Sequence, residues 1–355
     1  MRSDLKGIKI LAIAASVPDR WVSLDEQFAY EGSVIEEKTL KRRKKSTGIE
    51  GRYVSNNKQT NSDWCFAAAE KILSELSIDR NRVGVVVYVT QTADYQQPAT
   101  ALVLQHRLGI GDNCIVFDIN LGCSGYVYGL NVVSSLLMTS NAEYGLLMCG
   151  ETASRPKRFD VDDDSEVDDM IFGDAGSATL LTKDHDTGNM CFLSKSDGSR
   201  FRTLIHPWEF YRNPIRMGKN SVMDGIDVFN FSTQEVPELI KELMVEMKTT
   251  PDDYDYIILH QANKLIMQRI EKKTGFYEEK SLKSIAEFAN TSSASIPLTI
   301  VHNLVGQDLK TYRVLMCGYG IGLSWSVVDC YLDKTVIIPL VKTSEYFEDG
   351  FQNVN

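Results

Sequence analysis

The chain has 355 residues, 43% of them hydrophobic, and a formal net charge of −10. That length and apolar content suit two domains, or one large two-part domain with a filled core. The acidic balance argues against a nucleic-acid partner, whose phosphates need a basic footprint.

In chain order, the start from Met1 to Pro18 lacks the ordering of a signal peptide, and Ile8 to Val17 reads as a first strand. Ser62 to Leu76 is patterned as an amphipathic helix opened by a Ser cap. Val83 to Thr90 (VGVVVYVT) is a strand buried on both faces. Pro98 to Leu108 is helical, Cys114 to Asp118 a strand, Ser124 to Thr139 a helix and Tyr144 to Cys149 a strand. The second half repeats the order: strand Tyr254 to His260, helix Ala262 to Lys273, helix Ser293 to Leu304, then strands Tyr312 to Cys317 and Leu323 to Tyr331. This alternation predicts an α/β architecture. No apolar run approaches the roughly 20 residues that span a bilayer, so no membrane span and a cytosolic location are expected.

Two details point to an internal duplication. Leu146 to Gly150 reads LLMCG, and Val314 to Gly318 reads VLMCG. Cys123 and Cys149 are 26 positions apart, Asn290 and Cys317 are 27 apart, and each interval is a helix followed by a strand. The division between halves is placed after Leu181, giving 1–181 and 182–355. Lys183 to Asn220 is less regular and is expected to cover the site or lie at an edge. Val336 to Asn355 reads as a peripheral tail.

The seven cysteines, from Cys65 to Cys330, include no CxxC pair and no zinc spacing with histidine. Most read as buried hydrophobes in a reducing compartment, and no metal is expected. Cys123 differs. It sits in Asn120-Leu-Gly-Cys-Ser-Gly-Tyr126, where a strand runs in and a helix runs out. A thiol at a helix N-terminus is expected to have a lowered pKa, and a thiolate attacks thioesters readily. His260 ends a buried strand, where α/β proteins gather catalytic groups. Asn290 mirrors Cys123 in the second half. Gly318 to Gly322 is a glycine-rich loop followed by a strand. It fits a nucleotide poorly and fits backbone N–H groups aimed at an oxyanion better.

Taken together, these motifs resemble β-ketoacyl-ACP synthase III and its relatives in the thiolase superfamily. The resemblance covers residues 5 to 332. It rests on Thr47-Gly-Ile49 with Arg52, the GCSGY turn, Phe172-Gly-Asp-Ala-Gly-Ser177, His260-Gln-Ala-Asn263, Asn290-Thr-Ser-Ser-Ala-Ser295 and Gly320-Ile-Gly-Leu-Ser-Trp325. It implies a thiolase fold, a duplicated five-layer αβαβα with two pseudo-twofold-related halves. It also implies a decarboxylating Claisen condensation. Cys123 accepts the starter acyl group, and His260 and Asn290 hold the thioester carbonyl of a malonyl extender. The N–H groups of Cys123 and Ile321 form the oxyanion hole. The substrates are acyl-CoA or acyl-ACP and malonyl-ACP, with no cofactor.

The resemblance further implies a homodimer, with Gln97, Phe172 and Tyr319 at the acyl pocket or its gate. Lys264, Lys272 and Lys273 would dock an acyl carrier protein. The chain departs from the family pattern at several positions, among them Leu265, where an Arg usually follows the HQAN motif. Gln97 replaces the gate Phe of the housekeeping bacterial enzyme, and Arg42 and Ser46 stand where a Trp and an Arg stack the coenzyme A adenine. These last three departures favour a specialised pathway. The basic run Lys41 to Lys45 reads either as a solvated helix face or as a docking patch. Two other functions suit the same fold: acyl transfer from Cys123 to an alcohol or amine without decarboxylation, and a non-catalytic partner protein. A hydroxymethylglutaryl-CoA synthase type needs a general-base Glu near the thiol, and no Glu stands in a matching motif.

Overall fold

The computed structural model describes residues 1–30, 37–154, 171–184, 189–208, 210–215, 217, 221–307 and 310–350. The β-branched runs form two main sheets. The main strands are β1 (Arg2–Leu5), β2 (Ile8–Pro18), β3 (Val83–Val89), β4 (Ile115–Ile119), β5 (Tyr144–Glu151), β6 (Ala175–Lys183), β7 (Met190–Ser196), β8 (Tyr256–Leu259), β9 (Thr311–Gly320) and β10 (Ser324–Asp333). The main helices are α1 (Glu37–Thr47), α2 (Asn61–Glu75), α3 (Thr100–Arg107), α4 (Gly125–Thr139), α5 (Gly225–Met247), α6 (Lys264–Thr274) and α7 (Ser295–Leu304).

The first sheet runs β2-β6-β5-β3-β4, and the second runs β1-β7-β10-β9-β8. Their pairing rules match. β2 is antiparallel to β6, β6 to β5, and β5 is parallel to β3. Likewise β7 is antiparallel to β10, β10 to β9, and β9 is parallel to β8. LLMCG lies in β5 and VLMCG in β9, equivalent places in the two sheets.

Each sheet is covered on both faces. Val85, Val87 and Val89 of β3 join a central core with Leu130 of α4, Val301 of α7 and Val314 of β9. Val86 and Tyr88 face outward against Ala68 and Ile72 of α2. On the far side, Ile257, Leu315 and Val327 pack under Ile240 and Leu243 of α5 and Ile270 of α6. The layers are thus outer helices, sheet, central helices, sheet, outer helices. Strands buried on both faces explain the near-continuous apolar runs.

Two expectations need correction. Helix α2 opens at Thr60, whose N–H donates to Asp63 Oδ2 at 2.9 Å, so Ser62 lies inside the helix and not at its cap. The C-terminal segment is not peripheral. Val336–Ile337 and Val341–Thr343 both pair with β2, and Ile338 is buried. β1 joins the second sheet through β7. In the Lys183 to Asn220 segment, Leu204–Ile205 pairs with Val222–Met223, and residues 209, 216 and 218–220 lie outside the described residues. Among the described residues, no helix is long and apolar enough to cross a membrane.

Candidate active site

Cys123 occupies the turn between β4 and α4, closed by a 2.7 Å bond from Gly125 N–H to Gly122 O. The residue is half-buried. Its neighbour from the second half is the loop after β9. A Cβ added at Gly320 would lie 2.6 Å from Cys123 Cβ and 3.3 Å from its Sγ, so only glycine lets this strand end approach the thiol. Ser324 fastens the loop to the turn. Its hydroxyl lies 2.7 Å from Ser124 Oγ and 2.8 Å from Ile321 O. The backbone N–H groups of Cys123 and Ile321 donate to no backbone acceptor among the described residues.

The fall in thiol pKa expected from the helix terminus is not what the site produces. Burial pushes the Cys123 thiol up to about 11, the Glu151 charge adds to this, and Ser292 opposes it. Desolvation of the thiolate outweighs the favourable end of α4.

His260 follows the last residue of β8 and extends its ladder, with its N–H 2.8 Å from Cys317 O. Its ring is buried, and Nδ1 lies 2.8 Å from Ser295 Oγ at the start of α7. Burial pushes the imidazole down to about 3, against a smaller opposing effect of the Ser292 backbone, so the ring is neutral at ordinary pH.

Asn290 is gripped by the backbone on either side of Phe172: its N–H donates to Ile171 O at 2.9 Å and its O accepts from Gly173 N–H at 3.0 Å. Its Oδ1 accepts from Ser292 N–H at 2.8 Å. A backbone N–H can only donate, so the facing atom is the carbonyl oxygen and the amide NH2 is left to point elsewhere.

The three residues meet around one segment. Cys123 Sγ lies 3.7 Å from Ser292 Oγ, Asn290 holds the Ser292 N–H, and His260 senses the Ser292 backbone. Ser292 and Ser295 were legible only as part of a capping-type run, because a hydroxyl's partner is set by tertiary contact. Glu151 at the end of β5 was also missed. It is buried, accepts from Thr92 Oγ1 at 2.7 Å and from Gln91 N–H at 3.1 Å, and burial pushes it up to about 7.

The remaining expected residues fall in three places. Phe172 bridges to Asn290, and its carbonyl accepts from Arg52 at 2.6 Å, so this motif braces the site. Tyr319 lies on β9, next to Gly320. It is fully buried behind His260, donating to His260 O at 3.2 Å with its ring edge-on to the imidazole. Gln97 is exposed in the single chain, and Lys264, Lys272 and Lys273 are exposed on α6. Among the described residues, no group of His, Cys, Asp and Glu is arranged to hold a metal ion.

A duplicated αβαβα fold with a Cys, a His and an Asn meeting between its halves defines a thiolase-fold condensing enzyme. Two family models match the chain: 3-oxoacyl-[acyl-carrier-protein] synthase III over residues 117–198, and its C-terminal part over residues 244–329. A β-ketoacyl-[acyl-carrier-protein] synthase III of Clostridium perfringens is 34% identical over 79% of this chain and 86% of its own length. A crystal structure of a 3-oxoacyl-(acyl-carrier protein) synthase from Burkholderia xenovorans is 29% identical. It superposes with a TM-score of 0.89 over 97% of this chain and 99% of that one. The synthase III of Pseudomonas aeruginosa gives 26% and 0.80 over 94% and 100%. The chain belongs to the 3-oxoacyl-[acyl-carrier-protein] synthase III family of acyltransferase-type condensing enzymes.

Proposed function

We propose that this chain joins an acyl group held on Cys123 to malonyl carrier protein by decarboxylating Claisen condensation. The observation that carries the reading is the meeting of Cys123, His260 and Asn290 around Ser292, with Gly320 against the thiol. In the first step Cys123 Sγ bonds the acyl carbon, the incoming thioester C–S bond breaks, and the thiol proton ends on the departing thiol. The malonyl thioester then loses carbon dioxide, and the electron pair moves onto its carbonyl oxygen. A neutral His260 and the Asn290 NH2 supply two hydrogen bonds to that enolate. Its carbon attacks the acyl-Cys123 carbonyl, whose oxyanion rests on the N–H groups of Cys123 and Ile321. Collapse releases the 3-oxoacyl thioester and the Cys123 thiolate, which takes a proton from solvent. The chemistry needs no cofactor, because the carboxylate is its own leaving group.

The working unit in this reading is a cytoplasmic homodimer. β4 ends its sheet, and Ile115 on it is 46% exposed. An open edge strand with apolar side chains needs cover, and a twofold copy provides it. Asp118 of β4 accepts from Thr100 N–H at 2.7 Å and Ala101 N–H at 2.8 Å, which fixes the start of α3 and hence Gln97 beside that edge. Gln97 would reach the partner's pocket from there. An acyl carrier protein would dock on α6 through Lys264, Lys272 and Lys273. α1 packs beside α6 and adds exposed Arg42 and Lys45, while Lys44 is engaged by Asp25 at 2.5 Å. Gln97, Arg42 and Ser46 favour a specialised pathway over housekeeping initiation.

The test is intact-protein mass spectrometry with short acyl thioesters, paired with carbon dioxide release from malonyl carrier protein. Adduct in the wild type, none in Cys123→Ala, and carbon dioxide release lost in His260→Ala support the reading. Acyl transfer to an alcohol or amine would leave malonyl intact.

A further inference from the structure

We propose that Gln91 contacts the acyl group on Cys123 and selects starters bearing a hydroxyl or oxo oxygen close to the thioester carbonyl. The inference rests on the reading of Cys123 as acyl acceptor and narrows its substrate class.

Thr90, Gln91 and Thr92 follow the last residue of β3. Their backbone is held tightly. Gln91 N–H donates to both oxygens of Glu151, at 3.1 and 3.2 Å, and Thr92 Oγ1 donates to Oε2 at 2.7 Å. Thr92 N–H reaches Thr90 Oγ1 at 3.0 Å, and Asn61 Nδ2 reaches Thr92 O at 2.8 Å. Glu151 is buried without a basic partner among the described residues. A carboxyl in that setting is retained only where its hydrogen bonds are all in use, and here they hold this one loop.

The Gln91 side chain is the exception. It is exposed, and its carboxamide makes no hydrogen bond among the described residues. Its Oε1 lies against Gly122, the residue before the nucleophile. A Cβ at Gly122 would collide with that oxygen and would lie 3.1 Å from Ser292 Oγ. Ser292 Oγ is itself 3.7 Å from Cys123 Sγ. The carboxamide, the hydroxyl and the thiol are therefore neighbours, and Glu151 holds the backbone from which the first of them projects.

A carboxamide both donates and accepts. A hydroxyl or oxo group on the carbons next to the thioester satisfies it. A plain methylene chain strips water from it and returns nothing. An anionic substituent is disfavoured, because Glu151 stands behind the loop.

The experiment compares Cys123 acylation by 3-hydroxybutyryl and butyryl thioesters, each on coenzyme A and on carrier protein, followed by intact mass. In the wild type the hydroxylated starter is expected to react roughly tenfold faster at low concentration, the worth of one hydrogen bond. Gln91→Met, which keeps the volume and removes the amide, brings the ratio near one. Gln91→Asn, which withdraws the amide, gives an intermediate ratio and guards against a folding defect in the first variant. Equal rates in the wild type, or a ratio that survives Gln91→Met, overturns the proposal. No acylation by either starter, while iodoacetamide still labels Cys123, defeats the condensing reading itself and this inference with it.

Discussion

Ser295 Oγ lies 2.8 Å from His260 Nδ1, at the first turn of the central helix α7. The imidazole is buried and neutral. A neutral ring carries one proton, and the partner of one nitrogen decides which nitrogen keeps it. If the serine hydroxyl donates to Nδ1, the proton sits on Nε2, the donor that the proposed enolate needs. Ser295→Ala therefore is expected to lower carbon dioxide release from malonyl carrier protein by roughly tenfold to a hundredfold, the range for orphaning a buried polar group. Acylation of Cys123 should change little. Equal losses in both half-reactions would contradict the assignment.

The thiol supplies a pH prediction. Its pKa stands near 11 through burial, with Glu151 adding to the shift. Iodoacetamide labelling of Cys123 should rise about tenfold per pH unit from pH 7 to 9 without a plateau, since only thiolate reacts. Glu151→Gln removes a negative charge and should move the whole profile to lower pH. A plateau already at pH 7 would show a depressed pKa and refute the burial argument.

His260 links protonation to folding. Its folded pKa, about 3, lies below the ordinary value of 6.5. The unfolded chain thus binds a proton that the native ring refuses. The His260 contribution is complete above pH 6.5 and falls as pH drops toward 3. Between pH 7 and 5 the wild type should lose about 2 kcal/mol from this residue. His260→Gln should show a correspondingly shallower loss in urea melts at the two pH values. Parallel losses in both proteins would reject the linkage.

The dimer reading stands on the open edge of β4. Ile115→Asp places a charge on that edge and should halve the mass seen by light scattering. It should also reduce condensation, because Gln97 would no longer reach a partner's pocket. A wild type that is already monomeric at working concentration would remove the reading.

Much of this architecture was legible in the residues. Unbroken apolar runs marked β3, β5, β8 and β9, and the LLMCG and VLMCG echoes marked the equivalence of β5 and β9, because burial on both faces leaves few other compositions possible. Cys123, His260 and Asn290 stood out through the punctuation around them: glycines, a strand end, a run of hydroxyls. Tertiary contacts were not legible. Nothing in the string shows that Tyr319 turns inward behind His260, or that the last strands return to β2. A local rule about helix termini misjudged the Cys123 thiol because it takes no account of burial, to which Gly320 from the other half of the chain contributes. Glu151 and Gln91 carry no motif, and only the folded loop brings them beside Gly122.

The most direct measurement incubates wild type, Cys123→Ala and His260→Ala with an acyl thioester, weighs each intact protein, and then adds labelled malonyl carrier protein. Acyl mass on the wild type and on His260→Ala but not on Cys123→Ala, with labelled carbon dioxide freed by the wild type and not by His260→Ala, is the expected pattern. An adduct that persists without Cys123, or gas release untouched by loss of the imidazole, would mean that the sulfur and the ring do not share the work assigned to them.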